Sequence, residues 1–223
     1  VQRAHDAGIL FIKQVPTAKQ AREAAELEVD AIIAQGTEAG GFCGNVSTLS
    51  LIPQVVDEVG KPTPVIAAGG IADGRGLAAA LLLGAQGINI GTQFLASTET
   101  AVSDDLKNKV VSAASEDAIK ADFINIVFPS AGKETYEEAS LRALRTPFIE
   151  HWNRRSRVEV EQKADELRDL LMTSMKQGKD HEFAPFTGQS AGLVHQILPV
   201  AELINRIVTE ARESLERAVA FLK

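Results

Sequence analysis

The stretch from residue 64 to residue 91, PVIAAGGIADGRGLAAALLLGAQGINIG, constrains the fold of this chain more than any other. It reads as an apolar strand that ends in two glycines, a helix capped by Asp73, and a short strand at residues 88–90 followed by Gly91. Glycines at the carboxyl ends of neighbouring parallel strands let backbone N–H groups approach an oxyanion. The stretch therefore predicts an α/β sheet that holds a phosphorylated cofactor at the carboxyl ends of its strands.

Two further strands precede this stretch, so the first hundred residues read as four successive βα units. We predict these strands at residues 9–15 and 29–34, with helices at residues 18–27 and 51–59 between them and the strands that follow. Right-handed crossovers make such a sheet parallel. Four units are half of a (β/α)8 barrel, and an isolated half leaves two open strand edges. We therefore expect either pairing between copies or a missing N-terminal half.

The pattern changes after residue 102, where helical segments of mixed charge replace the βα units. We predict helices at residues 104–114, 136–157, 158–178 and 197–222. Between the last two helices lies FAPFTGQSAGL, a glycine-containing loop suited to return to a ligand. The expected domains are residues 1–102 as the second half of a barrel, residues 103–182 as a helical cap or insertion, and residues 183–223 as a loop and helix that return to the barrel.

Composition limits the classes of partner. The net charge of −7 argues against nucleic acid and against an anionic membrane surface. The single cysteine, Cys43, excludes an internal disulfide and fits a reducing compartment, so we expect a cytoplasmic protein. No apolar run approaches the roughly 20 residues of a membrane span. We expect no metal site either, because the sequence has no HxxxH or CxxC spacing.

Five motifs carry a resemblance to a known family. They are GTEAGG at residues 36–41, PVIAAGGIADGRGLAAA at 64–80, GAQGINIGTQFLASTE at 84–99, TPFIEHW at 146–152 and GQSAGL at 188–193. Together they resemble the nitronate monooxygenases, formerly called 2-nitropropane dioxygenases. Flavin-dependent enoyl-acyl carrier protein reductases and some NAD(P)H:quinone reductases share most of these motifs less closely. The resemblance implies FMN at the carboxyl end of a TIM barrel whose first half is not part of this chain.

The resemblance and the glycine pattern together give a set of cofactor contacts. The expected FMN-binding residues are Gln35, Gly40, Gly41, Gly69, Gly70, Asn89, Ile90, Gly91 and Thr92. Gln35 and Gly40 are implied to lie near the isoalloxazine and ribityl parts of FMN. Gly70 and residues 89–92 are implied to contact the phosphate, through backbone N–H groups and the Thr92 hydroxyl. Each glycine can instead merely form a turn, and the sequence leaves that alternative open.

One position departs from the family pattern. Where the family motif GTEAGGH has a histidine that is implied to be the catalytic base, this chain has Phe42. Phenylalanine cannot accept a proton, and general-base assistance is typically worth about 10² to 10⁴ in rate. An alkyl nitronate has already lost the proton in question. We therefore expect oxidation of preformed nitronates by O2, giving a carbonyl compound and nitrite, in preference to oxidation of neutral nitroalkanes.

The residue that carries the chemistry stays open at this stage. His195 and Glu38 are weak candidates for a replacement base, although Glu38 also suits a role as a loop carboxylate. Cys43 suits a buried filler better than a nucleophile, and Phe42 can instead be an apolar lid over the flavin ring. Two other functions remain possible alternatives: an NAD(P)H-dependent flavin reductase of a quinone or an enoyl thioester, and a non-catalytic barrel fragment.

Overall fold

The structure, a computed structural model, describes residues 1–60, 62–128 and 140–220. In these residues the strands are β1 Ile12–Val15, β2 Ala31–Gln35, β3 Gly41–Cys43, β4 Val65–Ala68, β5 Gly87–Asn89, β6 Ala118–Lys120 and β7 Ser140–Leu144. The helices are α1 Gln2–His5, α2 Ala18–Glu26, α3 Thr48–Val59, α4 Gly74–Leu82, α5 Thr92–Leu95, α6 Asp104–Ser112, α7 Ile124–Val127, α8 Pro147–Asn153, α9 Arg157–Gln162, α10 Ala164–Lys176, α11 Asp180–Phe183 and α12 Val200–Ala220. Ser115–Asp117 and Gln189–Leu193 form short 3₁₀ helices.

The chain divides into two compact units. The first unit comprises Val1–Glu38, Gly44–Ile90 and Ala201–Lys223, and the second comprises Ala39–Cys43 and Gly91–Val200. The short segment that contains β3 thus belongs to the second unit, although both of its neighbours in the chain belong to the first. The limits of these compact units differ from the domain boundaries expected at residues 102 and 182. The expected domain boundaries stay a prediction.

The first unit is built on a four-stranded parallel sheet in the order β1–β2–β4–β5. Helices α2, α3 and α4 connect successive strands, as expected of consecutive βα units. The α/β fold class predicted from the sequence is therefore confirmed, with half the strands of a (β/α)8 barrel. The first strand begins at Ile12 and not at residue 9, because the Phe11 N–H bonds the Asp30 carboxylate at 2.7 Å instead of joining the sheet.

The core of the first unit lies on the face of the sheet that α2 and α3 cover. Alternate strand residues point into it, and α3 adds an apolar stripe. The fully buried members are Val15, Ala21, Ile32, Ala34, Leu51, Ile52, Val55 and Ala67. On the opposite face Ile33 and Ile66, which are paired across β2 and β4, are only partly buried.

The segment that leads into β1 is apolar and exposed, as is Ile12, the first residue of the strand. Ile9, Leu10 and Ile12 all expose more than half of their surface, and Leu10 is 74% exposed. The segment leads into β1, which is one edge of the sheet. The expectation of pairing between copies or with a further half-barrel stays a prediction. In the part of the chain that the structure describes, we find no helix with the length and apolar character needed to cross a membrane.

The second unit contains a sheet that the sequence analysis missed. Strands β3, β7 and β6 pair antiparallel in the order β3–β7–β6. The helix predicted over residues 136–157 is therefore wrong over Ser140–Leu144, whereas Pro147–Asn153 is helical as predicted. Residues 136–139 lie outside the described residues. Strand β7 is followed by a new helix, α8, whose first turn is set by the Thr146 cap and by Pro147. A description of residues 103–182 as helical is thus incomplete.

The remaining helices of the second unit pack around apolar and aromatic side chains. The helix predicted over residues 158–178 is divided into α9 and α10 at Lys163, whose φ of −109° and ψ of 5° depart from helical geometry. Phe148 meets Phe123 and Phe183 edge to face, with ring centroids 5.8 and 5.4 Å apart. Ile124, Val127 and Ile149 are fully buried in the same cluster. This packing fixes α7, α8 and α11 within the unit.

Replacing Gly74 by alanine should destabilise the first unit by about 1–3 kcal/mol, as overpacking typically does. A Cβ at Gly74 would overlap the Ala211 backbone nitrogen and the Ile207 carbonyl oxygen of α12. Gly87→Ala is the matched control, because a Cβ there meets nothing within 4 Å. Urea unfolding followed by circular dichroism measures the difference, and equal midpoints for the two variants would contradict this packing.

Candidate functional site

The carboxyl ends of three parallel strands of the first unit form one row. Gln35 pairs with Ala68 across β2 and β4, and Ala68 pairs with Asn89 across β4 and β5. The chain leaves this row at Gly69 and at Ile90, directly after the paired residues. The first unit therefore brings together the predicted cofactor residues Gln35, Gly69, Gly70, Asn89 and Ile90. Asn89 is exposed, whereas Gln35 is buried in the row.

Gly69 and Gly70 form a turn that other residues adopt rarely. Their φ angles are +96° and +72°, both in the left-handed region that favours glycine. The Thr48 hydroxyl lies 2.9 Å from the Gly69 carbonyl oxygen and shares its one hydrogen between that oxygen and the Glu38 carboxylate. Among the described residues, neither the Gly69 N–H nor the Gly70 N–H donates to another protein atom. Two successive free N–H groups in such a turn make a concave site for an anion.

The helix that follows this turn is capped by an ionised carboxylate. Asp73 accepts hydrogen bonds from the backbone N–H groups of Arg75 and Gly76 at 3.0 and 3.3 Å. Burial by itself would raise the pKa of Asp73, but hydrogen bonds from the Arg75 side chain and the Gly76 N–H outweigh it and lower that pKa. The cap therefore stays charged at neutral pH and holds the start of α4 next to the glycine turn.

Glu38 takes part in a structural contact of the first unit. Its carboxylate accepts hydrogen bonds from the Thr48 N–H at 2.9 Å and from the Thr48 hydroxyl at 2.8 Å. Thr48 is the first residue of α3, where a negative charge is favourable. The Glu38 side chain also lies under the turn, because a Cβ on Gly70 would be 3.2 Å from the Glu38 Cβ. These contacts support the loop-carboxylate alternative for Glu38 over that of a replacement base.

In the second unit, Gly40 and Thr92 meet at the segment 187–188. A Cβ on Gly40 would lie 2.6 Å from the Gly188 nitrogen, so only glycine fits there. The buried Thr92 hydroxyl accepts a hydrogen bond from the Gly188 N–H at 2.9 Å. A hydroxyl that accepts one bond keeps its own hydrogen to donate. The geometry thus leaves Thr92 able to donate to a ligand, and its expected phosphate contact stays a prediction.

Thr187 belongs to the same cluster, although no sequence motif singled it out. The residue is fully buried, and its hydroxyl has no hydrogen-bond partner among the described residues. A buried polar group without a partner costs about 1–3 kcal/mol, so such an atom next to a predicted cofactor contact points to a ligand. The signal in the sequence was weak: a threonine directly before the GQSAGL motif.

The residues around Phe42 form a strand. Gly41, with φ of +70°, begins β3, and Phe42 pairs with Leu141 on β7. Cys43 is fully buried, and its thiol donates to the Ser140 carbonyl at 3.5 Å, which supports the filler role. His195 is exposed and follows the 3₁₀ helix Gln189–Leu193.

Two of the glycines that are expected to bind FMN have few protein atoms near the position of a Cβ. Gly91 is exposed, and a Cβ there would meet nothing within 4 Å. A Cβ on Gly41 would also meet nothing within 4 Å, although its positive φ still favours glycine. The expected roles of Gly41 and Gly91 in cofactor binding stay predictions. Across residues 1–60, 62–128 and 140–220, no three His, Cys, Asp or Glu side chains are grouped so that they could hold a metal ion.

Comparison with known proteins identifies relatives of this chain. The sequence profile of the nitronate monooxygenase family matches residues 1–210. A Mycobacterium tuberculosis protein named as a monooxygenase is 43% identical over 154 residues, 69% of this chain and 38% of that protein. A Rhodococcus jostii enzyme is 30% identical over 237 residues, 94% of this chain and 67% of its own length. It is named (3aS,4S,5R,7aS)-5-hydroxy-7a-methyl-1-oxo-octahydro-1H-indene-4-carboxyl-CoA dehydrogenase.

A solved structure has the same fold. Nitroalkane oxidase from Streptomyces ansochromogenes superposes with a TM-score of 0.77 and 27% sequence identity, covering 98% of this chain and 62% of the oxidase. The chain thus spans 38% of the monooxygenase and 62% of the oxidase.

Replacing Asp73 by alanine should cost about 1 kcal/mol of stability at neutral pH, the usual effect of losing an N-cap. Because the folded-state pKa of Asp73 is lowered, its contribution is present above the ordinary value of 3.8 and is lost as the pH falls through the folded-state pKa. Unfolding curves measured from neutral to acid pH should show that the difference in the free energy of unfolding between wild type and Asp73→Ala becomes smaller as the pH falls. Asp57→Ala, at an exposed site of α3, is the control; a gap that persists in acid would contradict the charged cap.

Proposed function

Because the chain belongs to the nitronate monooxygenase family, we propose that it provides the phosphate-binding half of an FMN-dependent enzyme. In this proposal the whole protein oxidises preformed alkyl nitronates with O2 to a carbonyl compound and nitrite. The family consists of flavin-dependent oxidoreductases, which supports the reaction class. The substrates and the partners of the whole protein are proposed as well, because this chain aligns with only part of the length of its relatives.

The first unit fits the phosphate of FMN. The Gly69–Gly70 turn offers two successive N–H groups that have no partner in the described part of the chain, and Asn89 and Ile90 end the neighbouring strand. A phosphate is an anion that several N–H groups can share, as at other glycine turns before a helix. FMN, when bound, accepts two electrons from the substrate and passes them to O2. The chain's own contribution is to bind the phosphate, to orient the cofactor and to exclude water from the site.

The proposed preference for nitronates is supported mainly by one observation, the presence of phenylalanine at position 42. It stands where the resemblance implies a catalytic base, and its ring packs against the apolar core of the second unit. The other residues considered as bases or nucleophiles are used or placed otherwise: Glu38 binds Thr48, Cys43 is buried, and His195 is exposed. A substrate that has already lost its proton needs no base, whereas a neutral nitroalkane does.

A second function is favoured by one relative. The Rhodococcus jostii protein that aligns with 94% of this chain is named as a dehydrogenase of a carboxyl-CoA compound, which is a thioester. A reductase or dehydrogenase of a thioester would also need no histidine at position 42 if a hydride moved directly to or from the flavin. Steady consumption of NAD(P)H with an enoyl thioester or a quinone, without nitrite release, would favour this function over nitronate oxidation.

Replacing Thr187 by valine should have two opposite effects. The protein without flavin should become about 1 kcal/mol more stable, since the change removes a buried hydroxyl that has no partner among residues 1–60, 62–128 and 140–220. Flavin retention should fall, because the hydroxyl is expected to bond the cofactor. Thr173→Val, at an exposed site of α10, is the control. Thermal melting of the flavin-free protein and visible absorbance of the purified protein give the two readouts.

A stability gain with unchanged flavin content would show that Thr187 does not touch the flavin. A wild-type protein that binds no flavin under any condition would support the alternative of a non-catalytic fragment.

Replacing Phe42 by histidine should raise turnover of a neutral nitroalkane by up to about 10²-fold, the lower end of typical general-base assistance. Turnover of the corresponding nitronate, prepared in alkali beforehand, should change little. Nitrite release and oxygen uptake by the flavin-loaded protein, with 1-nitropropane and its nitronate, measure both rates. Phe42→Leu, which adds no proton acceptor, is the control. Comparable wild-type rates on the two forms, with no gain in Phe42→His, would refute the preference for nitronates.

A further inference from the structure

The second unit contains an apolar cavity of about 160 Å³ that the reaction described above leaves unused. Phe42 and Leu141 line it from the small antiparallel sheet, Leu171 lines it from α10, and Phe186 lines it from the segment before Gly188. Phe128 and Ala184 also contribute to the wall. All of these residues belong to one compact unit, so the cavity is formed within it.

The cavity lies next to the cluster formed by Gly40, Thr92, Thr187 and Gly188 in the same unit, which we call the Gly40 cluster. A Cβ on Gly40 would lie 2.6 Å from the Gly188 nitrogen and 2.6 Å from the Thr187 carbonyl carbon, so the backbones of these segments are in close contact. Phe42 is two residues beyond Gly40, and Phe186 is two residues before Gly188. Two residues of extended chain span at most about 7 Å. A molecule whose reacting group sits at the Gly40 cluster can therefore place a tail among these two phenyl rings.

The lining of the cavity selects an apolar, uncharged group. Among the described residues that line it, Ser174 is the one buried polar side chain. The Ser174 hydroxyl donates to the Leu171 carbonyl within α10 at 2.8 Å, so it offers no donor to a ligand. Asp180 lines the cavity at a partly exposed position and would repel an anionic tail. Met172 and Met175 are 44% and 50% exposed, and their flexible side chains can adapt to a ligand.

The volume sets the size of that group. An apolar cavity of about 150 Å³ in another protein stays dry and binds benzene. A cavity of about 160 Å³ with a comparable lining should therefore hold about six carbon atoms. A methyl group would leave most of this volume empty, and the part of a chain beyond about six carbons would extend out of the cavity past the exposed Met172 and Met175.

We propose that this cavity binds the uncharged apolar tail of the substrate, an unbranched alkyl chain or a phenyl ring of about six carbon atoms. The assignment of the ligand as a substrate tail rests on the proposed function, whereas the capacity of the cavity to bind such a group does not. Phe42 then forms part of the wall for the tail, at the position where the resemblance implies a base.

Benzene binding tests the cavity without any reaction. Benzene near saturation should raise the melting temperature of the wild-type protein, because a ligand that binds only the folded state stabilises it. Ser174→Leu puts a larger apolar side chain into the cavity and should abolish that rise. Thr173→Leu places the same side chain at the neighbouring exposed position of α10 and should leave the rise unchanged. Equal shifts in wild type and in Ser174→Leu would overturn the proposal.

A series of 1-alkyl nitronates tests the tail. For the flavin-loaded wild type, KM should fall about fourfold for each added methylene, the value expected for burial of one CH₂, and should level off near six carbons. Met175→Ala changes a half-exposed residue at the rim, so the fold should tolerate it, and the levelling should move to longer chains. If KM does not change with chain length in either protein, the assignment of the cavity to the substrate tail is overturned.

The two measurements separate the cavity from the reaction. If benzene stabilises the wild type and not Ser174→Leu, while no nitronate is oxidised, the cavity stands and the proposed function fails. If nitronates are oxidised while benzene has no effect and chain length has none, the proposed function stands and the cavity assignment fails.

Discussion

The pairing of three parallel strands in register is the constraint on which the rest of the first unit depends. Because Gln35, Ala68 and Asn89 lie side by side, the chain leaves the sheet at the same level after each strand. The Gly69–Gly70 turn then has the strand ends on one side and the capped start of α4 on the other. A shift of register by one residue would turn the side chains of this row to the opposite face and bury Asn89 against the helices. The anion site is therefore a consequence of sheet geometry more than of any one side chain.

Sequence reasoning was sufficient wherever the signal was local. The strand Val65–Ala68 and the helix after Asp73 follow from an apolar run, a glycine pair and a capping carboxylate that lie within twenty residues of one another. The family resemblance followed from the same segments, and the match of the family profile to residues 1–210 confirms it. Local signals also account for the correct α/β class, since each βα unit is specified by its own stretch of chain.

The features that the sequence did not reveal depend on distant partners. Strand β3 forms because Phe42 and Cys43 pair with Leu141 and Ser140, about a hundred residues later in the chain, and three residues of sequence cannot predict such pairing. The same distance explains why residues 140–144 read as helix. Thr187 was overlooked for a related reason, because a threonine becomes significant only when its hydroxyl is buried without a partner. The cavity likewise combines residues from β3, β7, α10 and the segment before Gly188.

The burial of Cys43 gives the chain a built-in reporter. It is the one cysteine of the sequence, its side chain is inaccessible, and it sits in the three-residue strand that pairs with β7. A thiol-modifying reagent can reach it only when β3 separates from its neighbour, so the rate of labelling measures how often that strand opens. Because Phe42 is adjacent, this rate also follows the motion of the residue that borders both the Gly40 cluster and the cavity.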